Sequence, residues 1–330
     1  MSAERRFRVD LAAPLDIAGS LELFRRSGDD LIDRWDGSHL IRAISVNGVC
    51  VPFVATAIGD TATPGFDVIA GQASAAEIIS DGGETSVTDQ AAAVANLVRA
   101  TVATTFAPPS ADYMRLLRED PILAALDARL PGIRQIRQLD LFTALVRCIS
   151  AQQVNLRWAV TTRRRLAEAF GQRLTVGGQV VYSLDPRRIA AIDPVQIRAL
   201  QFTMSKSVSI VATAQALVRE NWTVTTLADL PDEEVIARLT TIKGIGRWSA
   251  EWVLARTLGR PQVVAGDLGV RKAVGLAYLD TRLPSEADVR SATAHWGQSA
   301  GTAQAVLLHA LGEGVLTPPA PTGSRAAPRR

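Results

Sequence analysis

The pattern of apolar and polar positions changes about one third of the way along the chain. Before residue 107 apolar and polar positions alternate in short runs, which predicts β-strands. Two apolar runs flank Asn47-Gly48, a dipeptide typical of a tight β-hairpin. We therefore predict an α+β module built on an antiparallel sheet, with strands near 6–11, 40–46, 49–57 and 66–71 and helices over about 16–26 and from Thr88 onward.

Beyond the break at Ala107-Pro108-Pro109-Ser110 the strand pattern nearly disappears. Apolar residues then recur three and four positions apart, for example in 141–149 and 210–218, which predicts amphipathic helices. We expect an N-terminal α+β domain (1–110) followed by an all-helical body with two subdomains (111–317). The proline-containing, weakly basic end, 318–330, is predicted to be a disordered tail.

Composition excludes several classes of protein. The chain has 330 residues, of which 47% are hydrophobic, and no apolar run is long enough to span a membrane. Cys50 and Cys148 are too few for a disulfide framework or a four-cysteine iron–sulfur cluster, and the three histidines lack metal-ligand spacing. We expect a monomeric cytoplasmic protein with no membrane partner.

The net charge is only +3, but basic residues are concentrated in one stretch. Between positions 131 and 170, seven arginines stand against two acidic residues. This concentration is equally typical of a nucleic-acid-binding surface and of a solvated helix face. The seven are Arg134, Arg137, Arg147, Arg157, Arg163, Arg164 and Arg165.

A glycine-containing turn, Gly244-Ile245-Gly246, separates two predicted helices at about 234–258. Glycines permit a tight turn, and the unpaired N–H groups at the start of the second helix favour an anion such as a phosphate. By itself such a turn is more often an ordinary connection between two helices.

The residues around this turn carry a more specific signal. The stretch LTTIKGIGRWSA (239–250), followed by VVAGDLGVRK (263–272), resembles the helix-hairpin-helix DNA glycosylase superfamily. The stretches LFTALVRCISAQQV (141–154) and FTMSK (202–206) are similar to other helices of that family. The N-terminal module resembles the extra, TBP-like domain of the DNA-3-methyladenine glycosylase II branch, the AlkA type. The resemblance covers roughly residues 5–315.

The resemblance implies a role for Asp267, which lies 19 residues after Trp248 and matches the family's essential aspartate. Its carboxylate would stabilise positive charge on the deoxyribose and orient or deprotonate the attacking water. The partner would be double-stranded DNA with damaged bases, in the bacterial cytosol. Implied DNA contacts are Gln152, Gln153, Lys206, Gly244, Gly246, Arg247, Arg271 and Lys272, with Gln153 filling the gap left by a flipped nucleotide.

The resemblance implies no required cofactor. It does allow a structural Na⁺ or K⁺ ion at the hairpin, held by main-chain carbonyl groups. By position these are the carbonyls of Thr240, Ile242 and Ile245.

Trp248 bears on the type of reaction. Bifunctional relatives carry a lysine two residues after the second glycine of the hairpin, and this sequence has tryptophan there. We therefore predict a monofunctional hydrolase of base excision repair without strand-nicking activity. An aromatic wall also favours cationic bases such as 3-methyladenine and 7-methylguanine. The predicted base pocket comprises Trp248, Trp252, an N-domain residue near Leu23 or Phe24, and Trp296.

Other interpretations remain open at this point. The protein could act on another lesion, such as hypoxanthine, uracil or oxidised guanine, or it could be a non-catalytic helix-hairpin-helix module that binds DNA. Asp267 could cap the following helix, Trp252 could be a core residue, and Gln152 and Gln153 could cap a helix end. A fused methyl-transferring repair regulator would need a further cysteine-bearing domain, for which the chain has no room.

Overall fold

The computed structural model describes residues 4–46, 49–72, 87–108 and 110–316. The predicted hairpin turn at Asn47-Gly48 and the predicted tail at 318–330 lie outside these ranges. In the described part of the chain, none of the helices combines the length and apolarity needed to cross a membrane.

The N-terminal part is an antiparallel sheet with two helices, as the alternating pattern predicts. The strands are ordered β1-β5-β4-β3-β2, and every pairing is antiparallel. Its core lies on one face of the sheet, where Phe53 and Phe66 pack with Leu21 and Val98 of the helices. The elements are β1 (Arg5–Asp10), α1 (Ile17–Arg26), β2 (Arg34–Trp35), β3 (His39–Val46), β4 (Val49–Ile58), β5 (Gly65–Ala70) and α2 (Val87–Ala103).

The rest of the described chain is mainly helical. Most of its helices begin at a side-chain cap, for example Asp140, which accepts a hydrogen bond from the backbone N–H of Thr143 at 2.7 Å. The helices are α3 (Ala111–Glu119), α4 (Pro121–Arg129), α5 (Leu141–Ala151), α6 (Leu156–Phe170), α7 (Pro186–Ala190), α8 (Pro194–Ala199), α9 (Met204–Arg219), α10 (Val224–Ala228), α11 (Asp232–Thr240), α12 (Arg247–Arg256), α13 (Leu268–Tyr278), α14 (Glu286–Thr293), a 3₁₀ helix (Ala294–Ser299) and α15 (Ala300–Gly312).

The expectation of an all-helical body is wrong at one place. A two-stranded hairpin, β6 (Gln172–Val176) and β7 (Gln179–Ser183), interrupts the helices, with its turn at Gly177-Gly178, both at positive φ. Val176 and Val181 pack against Ile41 and Val54, on the second face of the N-terminal sheet. The hairpin therefore attaches the body to the sheet.

Buried ion pairs form a second attachment between the two parts. Asp30 lies 2.9 Å from Nε of Arg163 and 3.2 Å from Nη2 of Arg147, and Asp33 binds Arg42 of β3. Both aspartates are buried. The connection after α1 is thus held by α5 and α6 through charge as well as apolar contact.

The burial of three arginines changes the interpretation of the basic stretch at 131–170. Arg134 and Arg163 are only 6% and 5% exposed, and the side chain of Arg147 is 13% exposed. These three cations are internal, so they belong neither to a nucleic-acid-binding surface nor to a solvated face. Arg164 and Arg165 remain near the surface and pair with Glu168 and Gln201.

Candidate active site

The hairpin between α11 and α12 is a compact turn fixed from inside. Ile242 and Ile245 are each 4% exposed and join the core of the helical body. The backbone N–H of Ile245 donates to the carbonyl of Ile242 at 3.0 Å. The backbone between these two anchors is therefore held in one conformation.

The two glycines of the turn are required for different reasons. Gly244 has φ +87°, and a Cβ added there would lie 2.0 Å from Oγ of Ser209 on α9. Both the backbone and the packing therefore demand glycine at 244. Gly246 has an ordinary φ of −102°, and nothing lies within 4 Å of a Cβ added there. The fold does not require glycine at 246, and the space in front of it is open.

Helix α12 begins at this open space without a side-chain cap. Gly246 is its N-cap residue and accepts no hydrogen bond through a side chain, so the first N–H groups of the helix lack that partner. Such a helix start attracts an anion through its free donors and its dipole.

Arg247 is paired within the protein, although it was predicted to contact DNA. Its Nε donates to Glu251 at 2.9 Å and its Nη2 to Glu233 at 3.1 Å. Hydrogen bonds from Arg247 to both carboxylates raise the pKa of Arg247. Glu251 is 1% exposed and also binds Arg290 of α14 at 2.9 Å. Arg247 therefore stabilises the start of α12, and its contact with DNA stays a prediction.

The turn after α5 lies against the hairpin. Gln152 is the C-cap residue of α5, and its Nε2 donates to the carbonyl oxygen of Gly244 at 3.0 Å. Gln153 is exposed and has φ +55°, a left-handed conformation that is uncommon for a residue with a side chain. The chain thus presents Gln153 to the outside from a strained position beside the hairpin.

Three other cations predicted to contact DNA have different surroundings. Nζ of Lys206, at the start of α9, donates to the carbonyl oxygen of Ser150 at 2.9 Å, and burial lowers the pKa of Lys206. Nε of Arg271 donates to the carbonyl of Pro284 at 2.8 Å. Lys272 is exposed. The first two therefore also hold the protein together, and binding of DNA by any of the three stays a prediction.

Asp267 is the N-cap residue of α13. Its Oδ1 accepts a hydrogen bond from the backbone N–H of Val270 at 3.0 Å, so the helix-capping role is present. Within the described residues Oδ2 has no hydrogen-bond partner. The loop before Asp267 is itself fixed, because Gln304 of α15 accepts from the N–H of Val264 at 2.9 Å. One carboxylate oxygen is thus held in place and the other is free to act.

Trp248 connects the hairpin with this aspartate. Its indole is half-buried, and its Cδ1 lies 3.3 Å from the position that a Cβ would take at Gly266. Gly266 immediately precedes Asp267, so the aromatic ring packs on the loop that carries the carboxylate. Trp252, one turn further along α12, is also half-buried.

Trp296, another residue predicted for the base pocket, is not brought to this point. Trp296 is 2% exposed and packs edge-on against Tyr278, with ring centroids 6.0 Å apart, in a core of α3, α4 and α13–α15. Leu23 and Phe24 lie in α1, but their side chains are outside the described part of the structure. A role for these three in binding a base stays a prediction.

Two carbonyl oxygens of the hairpin turn, where a monovalent cation was suggested, already accept hydrogen bonds within the protein. The carbonyl oxygen of Ile242 accepts the N–H of Ile245, and that of Gly244 accepts the side chain of Gln152. A carbonyl oxygen has two lone pairs, so the first contact leaves one available. Cation binding at Thr240, Ile242 and Ile245 stays a prediction.

Two residues near the site were not found from the sequence. Ser209 fits against Gly244 from α9, a contact between distant segments that no local pattern indicates. Arg256 follows Trp248 and Trp252 at intervals of four, a spacing that could have placed it on the same helix face. Burial raises the pKa of the Cys148 thiol, and the negative charge of Asp267 adds to this effect.

Part of the chain is similar in sequence to known DNA repair proteins. Residues 146–298 match the family model described as HhH-GPD superfamily base excision DNA repair protein. A Bacillus subtilis DNA-3-methyladenine glycosylase is 26% identical over 186 residues, which are 56% of this chain and 61% of that protein. Escherichia coli DNA-3-methyladenine glycosylase 2 is 31% identical over 134 residues, 41% of this chain and 47% of that protein. The chain thus spans about half to three fifths of the length of these relatives.

Solved structures share the fold over a longer stretch. The 3-methyladenine DNA glycosylase of Archaeoglobus fulgidus matches with a TM-score of 0.73 and 22% identity, over 92% of this chain and 97% of that one. The Clostridium acetobutylicum 8-oxoguanine glycosylase/lyase in complex with double-stranded DNA matches with a TM-score of 0.68 and 17% identity, over 96% and 98% of the two chains. At these identities the likeness concerns the fold, including the N-terminal sheet.

Proposed function

We propose that this chain, whose residues 146–298 match the model of the HhH-GPD superfamily of base excision DNA repair proteins, is a monofunctional DNA glycosylase. It flips a damaged nucleotide out of duplex DNA and hydrolyses its N-glycosidic bond. The substrates are alkylated purines of the 3-methyladenine and 7-methylguanine type, and the product is an abasic site in an unbroken strand. The observation that carries this proposal is the packing of Trp248 on Gly266, which brings the hairpin helix to Asp267.

The hairpin holds a phosphate of the DNA backbone. Gly246 supports this step, because the fold does not need glycine there and the open space lets another molecule approach the main chain closely. The uncapped N–H groups at the start of α12 are the donors. This contact fixes the position of the protein on DNA without reading its sequence.

Gln153 fills the space that the flipped nucleotide leaves. Its exposure and its left-handed backbone support this role, since a strained and exposed polar residue contributes little to a core. A glutamine side chain can also donate to and accept from the unpaired opposite base. The bond from Gln152 to Gly244 keeps this turn beside the phosphate-binding hairpin.

Asp267 supports bond cleavage. Departure of the base leaves positive charge on the deoxyribose, and a nearby carboxylate stabilises that charge. The same group can orient or deprotonate the water that attacks the sugar. The bond from Val270 to Oδ1 fixes the orientation of the carboxylate, which leaves Oδ2 for this chemistry.

Trp248 favours hydrolysis over strand cleavage. A Schiff base with the sugar requires an amine, and an indole cannot supply one. The nearby Lys243 precedes both glycines and is exposed, whereas Trp248 follows them and packs on the loop of Asp267. The indoles of Trp248 and Trp252 are suited to a cationic base, through stacking and a cation–π contact of about 0.5 to 2 kcal/mol.

The two bacterial relatives, both DNA-3-methyladenine glycosylases by name, support an alkylated base as the substrate. The test is incubation of the chain with duplexes that contain 3-methyladenine, 7-methylguanine, hypoxanthine, uracil or 8-oxoguanine. We expect release of the two alkylated bases, with strand breaks appearing only after alkali treatment. Release of no base would favour a module that binds DNA without catalysis. A covalent adduct trapped with borohydride would contradict the monofunctional mechanism.

A further inference from the structure

Gly269 lies in the first turn of α13, two residues after Asp267. Glycine is a poor helix former because its backbone has many other conformations, and alanine in its place normally stabilises a helix. The backbone of Gly269 is helical, unlike that of Gly244, which has a positive φ. Backbone conformation therefore does not explain why this position is a glycine.

Two side chains crowd the space beside Gly269. A Cβ added there would lie 3.0 Å from Oδ1 of Asp267 and 3.1 Å from Cδ2 of Leu308, on α15. Both separations are shorter than the 3.4 to 4 Å of ordinary van der Waals contact. A methyl group at 269 would therefore displace the carboxylate, the leucine or both by a few tenths of an ångström.

The carboxylate of Asp267 has little freedom to adjust. Its Oδ1 accepts the backbone N–H of Val270 at 3.0 Å, and this bond caps α13. Because a carboxylate is planar and rigid, any shift of Oδ1 also moves Oδ2, the oxygen proposed to act on the sugar and the water. A side chain at 269 would therefore change the position of the reacting oxygen.

Helix α15 has little freedom to move away and make room. Gln304, one turn before Leu308, accepts the backbone N–H of Val264 at 2.9 Å, in the loop that leads to Asp267. Leu308 itself packs against the core formed by α3, α4 and α13–α15. A shift of the whole helix would break the bond to Val264, so the crowding at 269 stays concentrated on Asp267 and Leu308.

We propose that Gly269 is a positioning residue for Asp267. Without a side chain at 269, the carboxylate can lie close against the first turn of α13, with Oδ1 in the helix cap and Oδ2 left for the reaction. This inference rests on the proposed glycosylase function. Catalysis by oriented groups is sensitive to small displacements, since a shift of about 1 Å can slow a reaction about a hundredfold. The helix forgoes the better helix former at 269, and the carboxylate keeps its orientation.

The variant Gly269→Ala should separate catalysis from stability and from DNA binding. With enzyme in excess and all DNA bound, we expect the first-order rate of 7-methylguanine release to fall about tenfold. The Kd for the same duplex should stay at the wild-type value, because the change affects the orientation of the carboxylate. The unfolding temperature should stay within about 3 °C of wild type, since the helix preference of alanine offsets the crowding.

Gly275→Ala is the matched control in the same helix. A Cβ at 275 would meet the backbone carbonyl of Thr281, about 12 Å along the helix from Asp267. We expect this variant to unfold at a lower temperature and to release the base at the wild-type rate at temperatures where it is folded. This is the pattern that a merely structural role would give, and it is the reverse of the pattern expected for Gly269→Ala.

Leu308→Ala shows which neighbour transmits the effect. It removes one of the two crowded contacts and leaves Asp267 in place, so it also provides a background if Gly269→Ala alone fails to fold. In this background Gly269→Ala should still slow base release about tenfold, relative to Leu308→Ala alone. Disappearance of the effect would assign it to Leu308 and overturn the proposed role.

Two further outcomes distinguish this inference from the proposed function. A wild-type rate of release in folded Gly269→Ala, or a loss confined to the Kd for DNA, would overturn the role of Gly269 and leave the glycosylase function intact. Failure of the wild-type chain to release any base would overturn both proposals.

Discussion

Gln152, at the end of α5, donates a hydrogen bond from its Nε2 to the carbonyl oxygen of Gly244, 3.0 Å away. The two residues are 92 positions apart in the sequence. Through this bond the turn that presents Gln153 is joined to the hairpin that presents Gly246. Two surfaces with separate proposed roles on DNA therefore have a fixed relative position.

Replacing Gln152 by alanine tests this connection. A single hydrogen bond contributes about 1 kcal/mol net, so we expect Gln152→Ala to weaken DNA binding about fivefold at fixed salt, with little change in the unfolding temperature. Fluorescence anisotropy with a labelled duplex measures this effect. Gln215 is a matched control, because its Nε2 also donates to a main-chain carbonyl, that of Ala190, at 3.1 Å. Equal affinities for the two alanine variants would count against the connection.

The two glycines of the hairpin should respond differently to alanine. Gly244→Ala places a Cβ against Ser209 at a positive φ, so we expect a loss of at least about 2 kcal/mol of unfolding free energy. Gly246→Ala meets no neighbour, so its cost should stay within about 1 kcal/mol, the range of helix-cap changes. Its DNA affinity should nevertheless fall, because the Cβ occupies the proposed place of a phosphate. Chemical denaturation measures the free energy of unfolding, and fluorescence anisotropy measures the affinity for DNA. An unchanged DNA affinity in Gly246→Ala would contradict the phosphate contact.

Asp30 should control the stability of the junction between the sheet and the helices. Burial works to raise the pKa of Asp30, but the positive charges of Arg147 and Arg163 outweigh it and lower the pKa to about 2. The stabilisation from a lowered carboxyl pKa is present above the unfolded-state value, about 4, and is lost as the pH falls toward 2. Wild-type unfolding free energy should therefore decrease between about pH 4 and 2.

The variant Asp30→Asn isolates that contribution. It leaves two buried cations without their shared carboxylate, so we expect a loss of about 3 to 5 kcal/mol near neutral pH. The difference from wild type should shrink as the pH falls through the same interval. Asp29→Asn is the control, because that side chain is 41% exposed in its pair with Arg34 and should cost at most about 1 kcal/mol. A loss for Asp30→Asn that does not depend on pH would contradict the role of its charge.

Much of the architecture could be predicted from local sequence. Alternating positions gave the antiparallel sheet, and the repeat of apolar residues gave the helices on both sides of the hairpin. The strands β6 and β7 were missed, although Thr175-Val176 and Val180-Val181 flank Gly177-Gly178, because the segment is short and lies between strong helical patterns. Apolar and polar residues do alternate in this segment, but the longer helical patterns on both sides of it dominated the prediction.

The partners of charged residues could not be predicted. Arg163 appears in the sequence as part of a basic run, but its carboxylate partner, Asp30, is 133 positions away. Arg247 likewise pairs with Glu233, across the hairpin. Sequence patterns indicate which face of a helix is apolar, whereas the pairing of charges depends on the packing of distant segments. The helix cap formed by Asp267 could be predicted from local signals, since a helix cap is a local structure, whereas the catalytic role of Asp267 stays a prediction.

The most direct test of the proposed function compares the wild-type chain with Asp267→Asn on duplex DNA that contains 7-methylguanine. Asparagine is also a good helix cap, so the variant should keep α13 and fold normally. Asp193→Asn, at the cap of α8, makes the same chemical change away from the site. We predict release of free 7-methylguanine by wild type and by Asp193→Asn, with release by Asp267→Asn reduced at least about a hundredfold. Full release by Asp267→Asn would contradict the catalytic role of Asp267.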